Sequence, residues 1–107
     1  MKVFVTADNH FFHKNIIKYC HRPFNSVREM NEYMIKKWNK KVSKDDLVFH
    51  LGDFALTRNQ KQLEGIRRRL NGTIILIPGN HDRPRRLTKC GIIISSKKII
   101  RIILNRA

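Results

Sequence analysis

The stretch TIILIPGNHD, residues 73–82, passes from a β-branched apolar run through Pro78-Gly79 into the polar cluster Asn80-His81-Asp82. Five apolar-rich residues bounded by a turn read as a strand rather than a helix. The same order occurs twice earlier. A strand over residues 2–7, with the run VFVTA, stops at Asp8-Asn9-His10, and LVFHL at 47–51 stops at Gly52-Asp53. The first of these strands is expected to be buried.

Helical patterns fill the gaps. Ser26 followed three residues later by Glu29 forms a capping box that opens the longest helix, which ends near Lys41. Val27, Met30, Met34 and Trp38 recur at helical spacing and are expected to form its buried stripe. A second helix is expected over 59–70, with Leu63, Ile66 and Leu70 inward and Asn71-Gly72 closing it, Gly72 as left-handed terminator. A short helical stretch around 15–20 ends at Arg22-Pro23, because the residue before proline is pushed out of helical geometry. Residues 91–107, GIIISSKKIIRIILNRA, read as two strands joined by a polar turn at 95–98. Strands alternating with helices at this spacing predict an α/β fold, a layered, mostly parallel sheet flanked by helices.

In such a sheet, ligands gather beyond the carboxyl ends of the strands. The three polar clusters, far apart in sequence, would therefore converge in space. Taken singly, Asp8-x-His10 also fits a helix cap beside an ordinary polar histidine, and Gly52-Asp53 an ordinary turn. Their conjunction behind three strands points to a metal site. Carboxylate and imidazole suit Mn²⁺, Fe²⁺, Ni²⁺ or Zn²⁺, and none of the clusters holds a thiolate. A strand-end Asp can bridge two ions about 3.5–4 Å apart, which together lower the pKa of a bound water and polarise a phosphoryl oxygen. The glycines at 52 and 79 let the backbone approach that centre without a Cβ clash.

The 107 residues fit one domain, 1–107, and 41% hydrophobic content supports a packed core. The sequence has no apolar run long enough to span a membrane, and MKVFVTADNH reads as a strand rather than a signal peptide. Cys20 and Cys90 lie far apart, outside any CxxC pattern, and are expected to be reduced, buried or partly buried thiols in a cytoplasmic protein. The net charge of +15 implies attraction to polyanions, most locally at Arg67-Arg68-Arg69 and at Arg83 to Arg86. A solvated basic face is the competing reading.

The set DNH, GD and GNHD resembles the signature of the calcineurin-like metallophosphoesterases, and DNHFFHKNIIKYCHRPF with VFHLGDFAL resembles a small bacterial and phage branch of them. The resemblance implies a metal-dependent phosphomono- or phosphodiesterase with a dinuclear site, using a metal-bound hydroxide. It places Asp8 and His10 on the first metal, Asp53 between both and Asn80 on the second, with Mn²⁺ the first choice. His81 would act on the phosphoryl group or leaving oxygen, oriented by Asp82. His13 would either line the site or lie on the surface. His50 is expected to be a strand residue or to support the ligands, His21 to lie on the surface, and Asn9 to stand where the family often has a small residue. The family's later histidines, including a GHxH motif, have no counterpart after His81. The chain is therefore expected to be a truncated member with impaired activity. Its apolar segment 99–104 would be a candidate for self-association. Two other readings stay open, a non-catalytic basic protein binding nucleic acid or another polyanion, and an inactive remnant.

Overall fold

The computed structural model describes residues 1–79 and 82–95. Among these residues four strands, β1 (Val3–Thr6), β2 (Leu47–His50), β3 (Thr73–Leu76) and β4 (Ile93–Ile94), form one sheet in the order β1-β2-β3-β4. All three pairings are parallel, with Val5, Phe49, Ile75 and Ile93 in register across the sheet. The helices are α1 (Ile16–Tyr19), α2 (Val27–Lys41), α3 (Gln60–Arg69) and α4 (Pro84–Lys89). The α/β class expected from the alternation is the one observed. No helix among the described residues is long and apolar enough to cross a membrane.

Side chains alternate across a strand, so each strand divides its residues between two faces. One face carries Val48, Ile74 and Leu76 into the main core, where Ile35 and Trp38 of α2, Leu63 and Ile66 of α3 and Leu87 of α4 meet them. The second face holds a smaller cluster of strand-derived residues, with Phe49 and Ile77 buried and Leu47 and Ile75 packed against them. On that face Val3 and Val5 are 55% and 50% exposed. The expectation of a buried first strand is therefore corrected. Among the described residues β1 has a single neighbouring strand, and its two valines point away from the helices.

Ser26 caps α2 by accepting from the Glu29 N–H at 3.1 Å, while the Glu29 carboxylate reaches back to the Asn25 N–H, one residue beyond the usual capping-box partner. The buried stripe of α2 is Met30, Asn31, Ile35 and Trp38, so Val27 and Met34 sit at its half-buried margins rather than at its centre. Asn59 caps α3 by accepting from Gln62 N–H, and Leu63, Ile66 and Leu70 are buried as the spacing predicted. The helix ends on Leu70 in extended geometry, not on a left-handed glycine. Gly72 has a φ of +92° and turns the chain into β3, where a Cβ would meet Val42 Cγ1 at 2.9 Å and Asp46 O at 3.0 Å. Helix α4 was not anticipated. Pro84 at its first turn is the available signal.

Both cysteines are free, but Cys20 is exposed, contrary to expectation, because it follows the last residue of the short α1 on the surface. Burial pushes the Cys90 thiol pKa up. The expected strand at 99–104 lies outside the described residues.

Candidate metal centre

Two loops carry the candidate ligands, and the backbone zips them together. Beyond the β1–β2 ladder, Asp8 N–H donates to Gly52 O at 3.0 Å, His10 N–H to Asp53 O at 3.0 Å and Phe11 N–H to Phe54 O at 2.9 Å. A bridge between Phe11 and Ala55 extends this pairing. The path is costly. Asp8, His10, Phe12 and Asp53 have φ values of 59°, 54°, 64° and 54°, and such left-handed backbone in non-glycine residues costs about 1–3 kcal/mol each. Three of the four are candidate ligands.

A third loop closes in from β3. An added Cβ on Gly79 would lie 2.5 Å from Asp53 Oδ1 and 2.8 Å from Asp53 N, so only glycine permits this approach. Asp82 then joins the loops. Its Oδ2 accepts from the N–H groups of Asp53 and Gly79, and its Oδ1 from that of Phe54, all at 2.7 Å. These described partners are backbone amides, so here Asp82 locks the Asp53 loop to the Gly79 loop. Its expected role of orienting His81 involves a residue outside the described ones, as does the assignment of Asn80.

Asp8, His10 and Asp53 each offer a ligand atom, and these atoms lie within 4.8 Å of one another. His10 is buried, Asp53 half-buried and Asp8 exposed. His10 Nε2 is 3.9 Å from Asp8 Oδ1. Donors about 2.1 Å from one ion are separated by about 3.0–3.4 Å in neighbouring positions and about 4.2 Å in opposite ones. The trio is somewhat more open than a filled site, and its side chains would close by up to about an ångström to hold a divalent ion. Its oxygen and nitrogen donors match the borderline metals expected from sequence.

Supporting contacts hold the trio in place. His10 Nδ1 lies 3.1 Å from His13 Nδ1, and His13 is buried, so it lines the site rather than the surface. One of these two nitrogens must carry the proton. With His10 Nε2 left as a lone-pair donor, Nδ1–H of His10 donates to His13, the arrangement that orients a ligating imidazole. His50 is fully buried, and burial pushes its pKa down to about 4, so it is neutral at pH 7. Its Nδ1 accepts from Gly52 N–H at 3.2 Å, which leaves Nε2–H to donate to Asn9 Oδ1 at 2.7 Å. Asn9, where the family often has a small residue, is thus a partner of His50.

Sequence reasoning missed Arg22. The sequence marks it only as the residue before a helix-breaking proline, yet its guanidinium donates to the backbone carbonyls of Asp8 and Asn9 at 2.7 and 2.8 Å. No spacing rule marks such a contact. Part of the basic surface is also committed internally. Arg67 donates to Leu70 O and Gly72 O, and Arg69 forms a two-pronged pair with Glu32 at 2.6 and 2.7 Å. That pair holds the Glu32 carboxyl below its ordinary pKa.

Comparison with known proteins agrees with this geometry. The sequence profile described as calcineurin-like phosphoesterase matches residues 1–102. The chain is 48% identical over 83 residues to an uncharacterised protein of Methanocaldococcus jannaschii, covering 77% of this chain and 47% of that one. It is similar to a crystal structure of a protein of unknown function from Aquifex aeolicus, with a TM-score of 0.72 and 27% identity over 91% of this chain and 52% of that one. The chain spans about half the length of these relatives.

Proposed function

The chain belongs to the calcineurin-like phosphoesterase family, and on that premise we propose that it hydrolyses phosphomono- or phosphodiesters with divalent metal, Mn²⁺ first among the candidates. The observation that carries this reading is the convergence of Asp8, His10 and Asp53 at the ends of two adjacent parallel strands. When bound, divalent metal supplies Lewis-acid activation of water and of the phosphoryl oxygen. Asp8 and His10 would hold one ion and Asp53 would bridge towards a second, which Asn80 would bind by the family pattern. His81 would give a proton to the leaving oxygen by the same pattern.

A basic, polyanion-binding role is the second reading, supported by the exposed Arg83 and Arg85 beside Asp82 and by the exposed Arg68. The two readings meet if the ester is part of a nucleotide or nucleic acid. They are separated by assaying an aryl phosphodiester with added Mn²⁺ in the parent chain and in Asp53→Asn. Hydrolysis that vanishes in the variant supports the enzyme. Salt-sensitive polyanion binding that survives it, without hydrolysis, supports the second reading. Self-association through segment 99–104 would show in the same preparation as a concentration-dependent mass.

A further inference from the structure

Arg22 lies in the loop between α1 and α2, outside the three strand-end clusters. Its fork spans two successive carbonyls, with Nη2 on Asp8 O at 2.7 Å and Nη1 on Asn9 O at 2.8 Å. Nη1 also sits 3.4 Å from Met30 Sδ and 3.7 Å from Met34 Sδ, so the guanidinium ties the Asp8–Asn9 backbone to helix α2. No carboxylate of the described residues pairs with it within ion-pair distance. The two carbonyls belong to the segment in which Asp8 and His10 both hold left-handed backbone. Extended geometry is intrinsically easier there, so something must hold the turn. Hydrogen bonds from a charged donor are about twice as strong as neutral ones, and two from a rigid fork fix an orientation that one cannot.

We propose that Arg22 is a positioning residue for the metal centre, holding the Asp8–His10 turn so that the Asp8 carboxylate and the His10 imidazole face Asp53. This rests on the reading of those three residues as metal ligands. Charge and geometry make opposite predictions. A guanidinium beside a divalent ion repels it, so removing Arg22 would raise metal affinity if charge were all that mattered. Positioning requires the affinity to fall.

The test is calorimetric titration of Mn²⁺ into the parent chain, Arg22→Met, Arg22→Lys, Arg22→Ala and Asp53→Asn, each first shown to be folded by circular dichroism. Arg22→Met is expected to bind 10–100-fold more weakly, the usual effect of losing a group that orients a ligand. Arg22→Lys keeps the charge and the stem but cannot span both carbonyls. It is expected to bind about tenfold more weakly, and it decides the matter if the methionine variant fails to fold. Millimolar guanidinium should restore affinity to Arg22→Ala but not to Asp53→Asn, which a general loss of stability would not produce. Unchanged or tighter Mn²⁺ binding in a folded Arg22 variant overturns the role of Arg22 alone. No binding by the parent chain overturns the metal-centre reading and the role with it.

Discussion

The Asp82 carboxylate accepts the Asp53 backbone N–H at 2.7 Å, across 29 residues of sequence, and so fastens the loop after β3 to the loop after β2. The same side chain also holds Phe54 N–H and Gly79 N–H. One residue assigned to catalysis by motif is thus also a structural tie between two of the three strand ends.

Asp82→Asn should therefore destabilise the protein as well as the site. An amide replaces one acceptor oxygen with a donor that faces donors, leaving at least one N–H without its partner. The expected cost is about 2–4 kcal/mol, read as a lower urea midpoint with an unchanged slope. A variant as stable as the parent would mean that the three N–H groups find other partners.

Gly79→Ala should act on Asp53 directly. The new methyl would stand 2.5 Å from Asp53 Oδ1 and 2.8 Å from its backbone nitrogen, and the backbone cannot yield cheaply. Overpacking of this kind costs about 1–3 kcal/mol. Mn²⁺ affinity should also drop, while Gly65→Ala, with nothing within 4 Å of the added atom, should leave that affinity unchanged.

Acid should weaken the fold through His50. Its pKa is lowered from 6.5 to about 4 in the folded chain, first by burial. Between those values the unfolded chain binds more protons, so stability rises with pH across the window. The His50 contribution begins to disappear as pH falls below 6.5 and is gone below about 4, with an upper bound of about 3 kcal/mol. Melting measured from pH 7 to 4 should show a flatter profile in His50→Asn. Asp46 acts lower. Its pKa is depressed below 3.8, first by the Ser43 N–H and then by that of Lys2, so its stabilisation is lost only under more acid conditions.

The strand ends were legible in the sequence because an apolar run that stops at Gly-Asp or Gly-Asn is both a secondary-structure signal and a chemical one. Parallel pairing then brings Asp8 beside Gly52 and His10 beside Asp53 without further information. Arg22 and the Asn9–His50 bond were not legible, and His13 only as one of two alternatives, because each depends on a loop whose non-glycine residues take left-handed backbone against their intrinsic preference. The exposure of Val3 and Val5 was hidden for another reason. An apolar run announces a strand but not which of its faces a helix will cover. Gly72 shows a third limit, since a glycine after a helix marks a turn whether or not it caps the helix.

The most direct test of the metal centre is Mn²⁺ titration by calorimetry into the parent chain and into Asp53→Asn. The geometry predicts saturable binding in the parent and an affinity lower by at least about 100-fold in the variant, because Asp53 is one of only three converging ligands among the described residues. Equal binding in both proteins, or none in the folded parent, would contradict the account.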